Sequence, residues 1–172
     1  MAIGEPFLRA FAWLSLFAWA ASEWQKSTSA PGSASERRAR AWFTAGAIAL
    51  LAHSALAFHL RYAWSHAAAA QDTARQTRDV TGLAFGGGVF VNELFLVVWL
   101  LAALWWWLDP EGYRSRGPSF EWPLRASFLV MFVSGAVVFA RGPVRLAGAA
   151  AVGVVLAAWY RGAGRGRSVG HG

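Results

Sequence analysis

The feature that most constrains this chain is a series of long apolar blocks that contain few charged residues. Five such blocks lie at about residues 7–21, 41–62, 83–108, 124–140 and 144–160. A bilayer core of about 30 Å requires about 20 helical residues to cross it. The second and third blocks reach that length, whereas the other three must recruit flanking residues, and the first has an interfacial position as its alternative. The sequence therefore predicts an all-α polytopic transmembrane helical bundle of about five spans, forming one membrane domain over residues 1–172.

Composition agrees with a membrane protein and excludes several soluble classes. Of 172 residues, 56% are hydrophobic and only 15% are charged, whereas a soluble domain carries about a quarter charged residues. That excludes a cytosolic enzyme, a disordered chain and a disulfide-stapled secreted module. Because the chain has no cysteine, thiolate metal sites and iron–sulfur clusters are excluded as well. The net charge of +7 comes mostly from basic residues beside the apolar blocks, which predicts contact with a lipid bilayer and no nucleic-acid partner.

The basic residues are distributed unevenly between the two predicted sides of the membrane. Ten of them lie on the side that holds the connections after the first and third blocks and a Gly/Arg tail at 162–172, and six lie on the other side. Because basic loops stay in the cytoplasm, this distribution predicts an inner (cytoplasmic) membrane protein with its N-terminus outside and its C-terminus inside. An interfacial tryptophan belt is expected at the cytoplasmic ends, comprising Trp24, Trp42, Trp105, Trp106, Trp107, Trp122 and Trp159.

The stretch with the most candidate chemistry runs from the second block into the loop that follows it. Between Gly46 and Gly82 the sequence contains neither Gly nor Pro. The second block is therefore expected to continue as a helical outer extension over 63–79, or else to bend near His66 and lie along the membrane surface. On one helix, His59 and His66 point within about 20° of each other, and Tyr62 lies on the same stripe. His59, Tyr62 and His66 are the predicted cofactor-binding residues.

Haem and bacteriochlorophyll are the candidate cofactors, since imidazole is a common axial ligand. The histidines His53, His59 and His66 all lie on one predicted helix. One monomer therefore cannot build a conventional bis-histidine haem site from two facing helices. Such a site would need a non-histidine ligand, a homodimer or a partner subunit. A metal ion shared by His59 and His66 would have to bridge about 10.5 Å along an unbroken helix, which is too far.

Three polar residues fall at similar depths in the second and third blocks. His53 lies about 18 Å from the inner end of its block, and Asn92 and Glu93 lie about 14 to 15 Å below the outer end of theirs. A carboxylate at the bilayer centre costs at least a few kcal/mol, so Glu93 must be protonated, paired or directed into a cavity. We expect a buried polar pair of His53 and Glu93 with Asn92 beside it; hydrogen bonding between helices without a functional role is the alternative.

Small residues predict where helices pack closely. Glycines four apart allow two helix backbones to approach each other, and the start of the third block contains such a pair beside a triple glycine. This surface is expected to pack against the second block, and a small-residue face of the fifth block is expected to pack in the same way. The predicted packing residues are Gly82, Gly86, Gly87, Gly88, Ala149 and Gly153.

The region that joins the second and third blocks carries a resemblance to other sequences. The residues Ala57-Phe58-His59 and Trp64-Ser65-His66, followed by Thr73, Gln76, Thr77 and Gly82, are similar to those of small polytopic bacterial membrane proteins. The resemblance covers about residues 50–108. It has no activity attached, so it implies neither a cofactor nor a catalytic residue, and it directs attention to the stretch from His59 to Asn92.

These features together predict an accessory integral-membrane subunit of a larger bacterial electron-transfer or pigment-containing complex. The chain is small and aromatic-rich and has no self-sufficient active site, so other membrane subunits are expected partners and no catalytic residue is predicted. One alternative is a small proton-coupled carrier or channel that uses His53 and Glu93 as a relay. A second alternative is a membrane metalloenzyme that uses the histidine stripe.

Overall fold

The chain forms a bundle of helices. The computed structural model describes residues 4–140 and 142–168, and within these ranges no strand occurs. The helices are α1 (Gly4–Lys26), α2 (Ala34–Arg61), α3 (His66–Thr81), α4 (Gly88–Leu108), α5 (Pro110–Ser115), α6 (Pro118–Val133) and α7 (Pro143–Ser168). A π-helical turn, Ser134–Val138, continues α6. The first part of the predicted tail at 162–172 is thus helical, and its last four residues lie outside the described ranges.

Four of the described helices are long and apolar enough to cross a bilayer. They are α2, α4, α6 with its π-helical turn, and α7. The predicted class, an all-α multi-pass membrane protein, is therefore confirmed. Helix α1 is not among the four, because Arg9 and Glu23 lower its mean hydropathy. Its 23 residues nevertheless extend about 34 Å, enough to match the thickness of a bilayer core.

Helix α1 packs antiparallel along α2. At one end, the guanidinium of Arg61 donates to both carboxylate oxygens of Glu5, at 3.0 and 2.6 Å. At the other end, the Ser22 hydroxyl donates to the carbonyl of Ala39 at 2.8 Å. These contacts define two ends of the bundle, which we call the α3 end, beside Arg61, and the α5 end, beside the α1–α2 connection.

A sharp turn separates α2 from α3. Ala63 and Trp64 adopt positive φ angles of 46° and 64°, a conformation that is uncommon outside glycine. Ser65 then caps α3, because its hydroxyl accepts a hydrogen bond from the Ala68 backbone at 3.2 Å. The helix expected over 63–79 is thus a separate helix at 66–81, and the structure has the bend near His66 instead of one continuous rod.

The core of the bundle is a cluster of aromatic rings contributed by α1, α2, α4, α5 and α6. Trp99 lies at its centre, with ring centroids 4.8 Å from Phe128 and 5.7 Å from Phe43. Trp106, expected in the interfacial belt, is buried instead and stacks on Tyr113 at 4.7 Å. An aromatic side chain buries about 150 to 250 Å², so this cluster supplies much of the apolar contact between the helices.

The predicted packing glycines have several different roles. Gly82 ends α3 with a φ of +80°, and Gly87 precedes α4. A Cβ on Gly86 would lie 2.6 Å from the carbonyl oxygen of Ala70, and one on Gly88 would lie 3.0 Å from Thr73. This surface therefore packs against α3, whereas packing against the second block was expected.

In α7 the residue that packs closely is Gly148, one position before the expected Ala149. A Cβ on Gly148 would lie 2.3 Å from the carbonyl oxygen of Ala136 in the π-helical turn. Gly153 meets nothing within 4 Å, and Ala149 is exposed. The spacing of small residues in α7 identified a helix face that could pack closely. Which of the neighbouring small residues makes the contact depends on the rotation of α7 about its axis, and the sequence of α7 alone does not determine that rotation.

Candidate functional site

The α3 end brings His66 and Glu93 together. Nε2 of His66, the first residue of α3, lies 3.0 Å from Oε1 of Glu93 in the second turn of α4. The His66 ring is flanked by Phe58 at 4.9 Å and by Phe90 at 6.4 Å, and it is nearly parallel to the Phe90 ring. The side chains of His66 and Glu93 are 57% and 36% exposed. The pair is therefore accessible from outside the bundle.

The position of Glu93 explains why a carboxylate is tolerated in this apolar helix. The sequence predicted a helix starting at residue 83, but residues 82–87 form a loop and α4 starts at Gly88. Glu93 is therefore only about 7.5 Å from the start of its helix, near the end of the span. A carboxylate at that level, next to an imidazole, avoids most of the cost of burial at the bilayer centre.

The structure does not bring the expected buried pair together. Nδ1 of His53 lies 2.9 Å from the backbone carbonyl of Leu8 in α1, so this nitrogen is the protonated one and the imidazole joins α1 to α2. Glu93 contacts His66, and Asn92 is exposed on α4. The relay from His53 to Glu93, on which the carrier hypothesis depended, is replaced by these two separate contacts.

Tyr62 belongs to a third polar group, centred on Asp72 of α3. The Tyr62 hydroxyl donates to Oδ2 of Asp72 at 2.8 Å, and Arg75 and Gln76 each donate to the same carboxylate at 2.9 Å. Burial raises the pKa of Asp72, but these three hydrogen bonds outweigh it and hold the pKa below its usual value. Burial and the bond to Asp72 raise the pKa of Tyr62, so its hydroxyl remains a donor.

The turn before α3 thus divides the predicted stripe of His59, Tyr62 and His66. Tyr62 contacts Asp72, His66 contacts Glu93, and His59 is exposed with its ring 6.5 Å from that of Trp64. In the described part of the chain, no group of three or more His, Asp or Glu side chains is arranged to hold a metal ion. His59 and His66 are each a single imidazole, which fits one axial position of a cofactor held mainly by another subunit.

A second polar site, which the sequence reasoning missed, lies at the α5 end. Glu23 of α1 is buried, pairs with Lys26 one turn later and accepts a hydrogen bond from the Trp159 indole at 2.7 Å. Lys26 lies over the rings of Phe43 and Trp106, at 5.2 and 5.3 Å. Such cation–π contacts stabilise an ammonium that has been removed from water.

The same site contains a carboxylate shared by two arginines. Glu121 of α6 pairs with Arg116 and with Arg125, whose Nε lies 2.6 Å away. Arg116 also lies over the ring of Tyr113, at 3.9 Å, and donates to the Tyr113 carbonyl. Burial raises the pKa of Tyr113. We call this group the α5-end cage; its members are Glu23, Lys26, Tyr113, Arg116, Glu121 and Arg125.

One sequence signal does point to the cage. Lys26 is the only lysine of the chain and follows Glu23 by three residues, while Arg125 follows Glu121 by four, the spacings at which opposite charges meet on a helix. Loop charge was interpreted as a signal of orientation, and that hid the pairing. That both pairs face one buried space depends on contacts between distant segments, which spacing alone does not reveal.

Comparison with known proteins adds no further assignment. No protein-family model, curated protein or solved structure matches this chain. The candidate sites therefore rest on the geometry of the chain itself.

Proposed function

We propose that this protein is an accessory integral-membrane subunit of a larger bacterial electron-transfer or pigment-containing complex. The observation that carries the proposal is the exposed start of α4. Phe90, Val91, Asn92 and Leu94 are all exposed there, and Glu93 and His66 are partly exposed beside them. This segment exposes both polar and apolar side chains, which is typical of a surface that another protein covers.

The polar members of this surface argue for a protein partner in addition to lipid. Lipid tails cannot satisfy the amide of Asn92, so its exposure near the end of a spanning helix costs free energy unless water, headgroups or a protein supplies hydrogen bonds. Side-chain amides are among the groups that hold membrane helices together, at about 0.6 kcal/mol for an average interhelical bond. A partner helix that packs on this surface would supply a hydrogen bond to the Asn92 amide and an apolar contact to the Phe90 ring.

The remainder of α4 has the character of a lipid-facing surface. Val97, Leu101 and Leu104 are all at least half exposed and follow one another at helical spacing. Such a uniformly apolar stripe needs no partner, because lipid and a helix are equally good neighbours for it. The partner surface is therefore proposed for the α3-end part of α4 and the adjoining end of α2.

The exposed imidazoles supply the proposed link to a cofactor. His59 at the end of α2 and His66 at the start of α3 lie beside Phe58 and Trp64. An imidazole among aromatic rings suits the edge of a haem or a bacteriochlorophyll that a neighbouring subunit holds. His59 has its imidazole exposed, so it is the residue we assign to axial ligation across the interface.

We further propose that α1 is a fifth crossing, with the α3 end outside and the α5 end in the cytoplasm. The contacts of α1 with α2 from Glu5 to Ser22 support a helix that runs alongside a spanning helix over most of its length. The α5 end carries the larger share of the basic residues, which supports its cytoplasmic location.

The test is purification of the tagged full-length chain from its native membrane in mild detergent. We expect co-purified integral-membrane subunits and a visible absorption band of haem or pigment. Asn92→Leu should reduce the co-purified fraction about threefold, which corresponds to a loss of about 0.6 kcal/mol, and Phe90→Ala should reduce it about tenfold, which corresponds to about 1.4 kcal/mol. The matched control, Leu101→Ala on the lipid-facing part of α4, should leave it unchanged. A chain that purifies alone, without colour and as a stable monomer, contradicts the proposal.

A further inference from the structure

The α5-end cage lines a small cavity that is partly open to the surface. Its volume is about 10 Å³, and Lys26, Tyr113, Arg116, Glu121 and Arg125 are among the side chains that line it. A cavity that holds one water molecule needs about this much room. A polyatomic group such as phosphate, sulfate or a lipid headgroup is larger than this space.

Two hydrogen-bond donors in the cage have no protein partner, and a third, Nε of Arg125, has only its ion pair with Glu121. Tyr113 is 2% exposed, and its hydroxyl makes no hydrogen bond within the described part of the chain. Nε of Arg116 is buried and equally without a hydrogen-bond partner there. A buried donor without an acceptor costs about 1 to 3 kcal/mol, so both groups indicate an occupant that accepts hydrogen bonds.

The charges of the cage do not balance. Lys26, Arg116 and Arg125 supply three positive charges among the lining residues, and Glu23 and Glu121 supply two negative charges. Both carboxylates are already engaged, Glu23 by Lys26 and the Trp159 indole, and Glu121 by the two arginines. Arg116 is the most buried of the three cations, with 8% of its side chain exposed, so the surplus of one positive charge beside it is unfavourable unless an anion neutralises it.

We propose that the α5-end cage binds one small monovalent anion, of the size of chloride, between the Tyr113 hydroxyl and the cations of Lys26 and Arg116. The anion accepts hydrogen bonds from the two unpartnered donors and cancels the surplus charge. Because the cage joins α1, α5 and α6, and Trp159 of α7 donates to its Glu23, the anion holds these helices together at one end of the bundle. This inference does not depend on the proposed subunit function.

The experiment measures thermal unfolding of the purified full-length chain by tryptophan fluorescence at constant ionic strength. Chloride replaces gluconate, which is too large for the cavity. We expect a saturable rise in Tm with chloride, of about 3 °C at a tenfold excess over Kd. The rise should be smaller with iodide, which is larger, and absent with sulfate. Equal Tm values in chloride and gluconate overturn the proposal.

The variant Tyr113→Phe removes one donor while keeping the ring and its stacking on Trp106. It should lose most of the chloride-dependent rise in Tm, and in gluconate it should be as stable as the unaltered protein, because the hydroxyl it lacks has no protein partner. The control Tyr160→Phe, at an exposed position of α7, should keep the full rise. If Tyr113→Phe lowers Tm equally in both salts, the occupant is a water molecule and the proposal is wrong.

A direct measurement covers the case in which Tyr113→Phe does not fold. Exchange of chloride with a protein site broadens the chloride NMR line. The unaltered protein should broaden that line in a saturable way, and excess fluoride or bromide should compete more effectively than gluconate. No saturable broadening contradicts the proposal independently of any variant.

Discussion

At the scale of single residues, the polar groups of the protein find partners that differ from those their positions in the sequence suggest. His53 illustrates what the sequence predicts well and badly. Its location in an apolar helix correctly marks it as a residue that needs a hydrogen-bond partner, but the partner is the Leu8 carbonyl of α1, which no side-chain pattern signals. Glu93 similarly finds its partner in His66, because the chain turns at Ala63 and Trp64 and brings α3 back against α4.

The ion pair of Glu23 and Lys26 gives the first prediction. Glu23→Gln and Lys26→Met should each lower the free energy of unfolding by about 3 to 5 kcal/mol, because each leaves the other charge buried without its partner. The double variant should lose clearly less than the sum of the two single losses. Thermal unfolding of the four proteins in one detergent measures this cycle. Strictly additive losses would show that the two charges are not coupled.

The carboxylate of Asp72 gives the second prediction. Asp72→Asn should lower the free energy of local opening of α3 by about 1 to 2 kcal/mol, because it weakens three hydrogen bonds whose acceptor is the negatively charged carboxylate. The depressed pKa means that Asp72 stabilises the fold above its unfolded pKa of about 3.9, and that the stabilisation is lost as pH falls through the lower folded pKa. Amide hydrogen exchange of α3 reports both effects.

The control for Asp72→Asn is Asp79→Asn, an exposed carboxylate on the same helix. This control should leave the exchange rates of α3 unchanged at neutral pH. If the two variants behave alike, the network around Asp72 contributes nothing to the docking of α3.

At the scale of helices, the sequence predicts the spans well and their ends less well. Long apolar stretches identify α2, α4, α6 and α7 because a bilayer imposes both length and composition on a span. The second block was predicted to end at residue 62, one residue after the end of α2, but the choice between a continuous helix and a bend near His66 stayed open, because the turn uses Ala63 and Trp64 with positive φ, residues that give no turn signal. Residues 83–87, which include two glycines, belong to the apolar block predicted as helix, although they connect α3 to α4.

The contact of α7 with the π-helical turn gives the third prediction. Gly148→Ala should destabilise the protein by about 1 to 3 kcal/mol, because its Cβ would collide with the carbonyl of Ala136. Gly153→Ala on the same helix should be neutral or stabilising by up to about 1 kcal/mol, since nothing lies near it and alanine favours helix. Thermal unfolding of both variants measures these two effects on stability. The opposite ranking would mean that α7 is rotated about its axis.

At the scale of the whole molecule, the bundle has two chemically different ends. The α5 end is closed by buried ion pairs and aromatic rings, and the α3 end is open and carries the exposed histidines. The composition of the chain predicted a membrane protein, and it includes an excess of basic residues. Spacing along the helices indicates the pairs of Lys26 with Glu23 and of Arg125 with Glu121, but it could not predict that both pairs and Arg116 face one space, because that depends on how α1, α5 and α6 pack together.

The direction of insertion gives the fourth prediction. The chain has no cysteine, so a single substitution introduces the only thiol. A cysteine at Thr81, beside the α3–α4 loop, should react with a membrane-impermeant maleimide in cells whose outer membrane has been made permeable. A cysteine at Ser29, in the α1–α2 connection, should react only after the inner membrane is opened. The reverse pattern would contradict the proposed orientation.

The central claim is that the start of α4 is covered by another membrane subunit. The most direct measurement is photo-crosslinking in native membranes from a reactive residue placed at Asn92, with Leu101 as the matched position on the same helix. We predict a discrete adduct from position 92 with an integral-membrane polypeptide that belongs to a haem- or pigment-containing complex, and lipid adducts alone from position 101. Lipid adducts alone from both positions would contradict the claim.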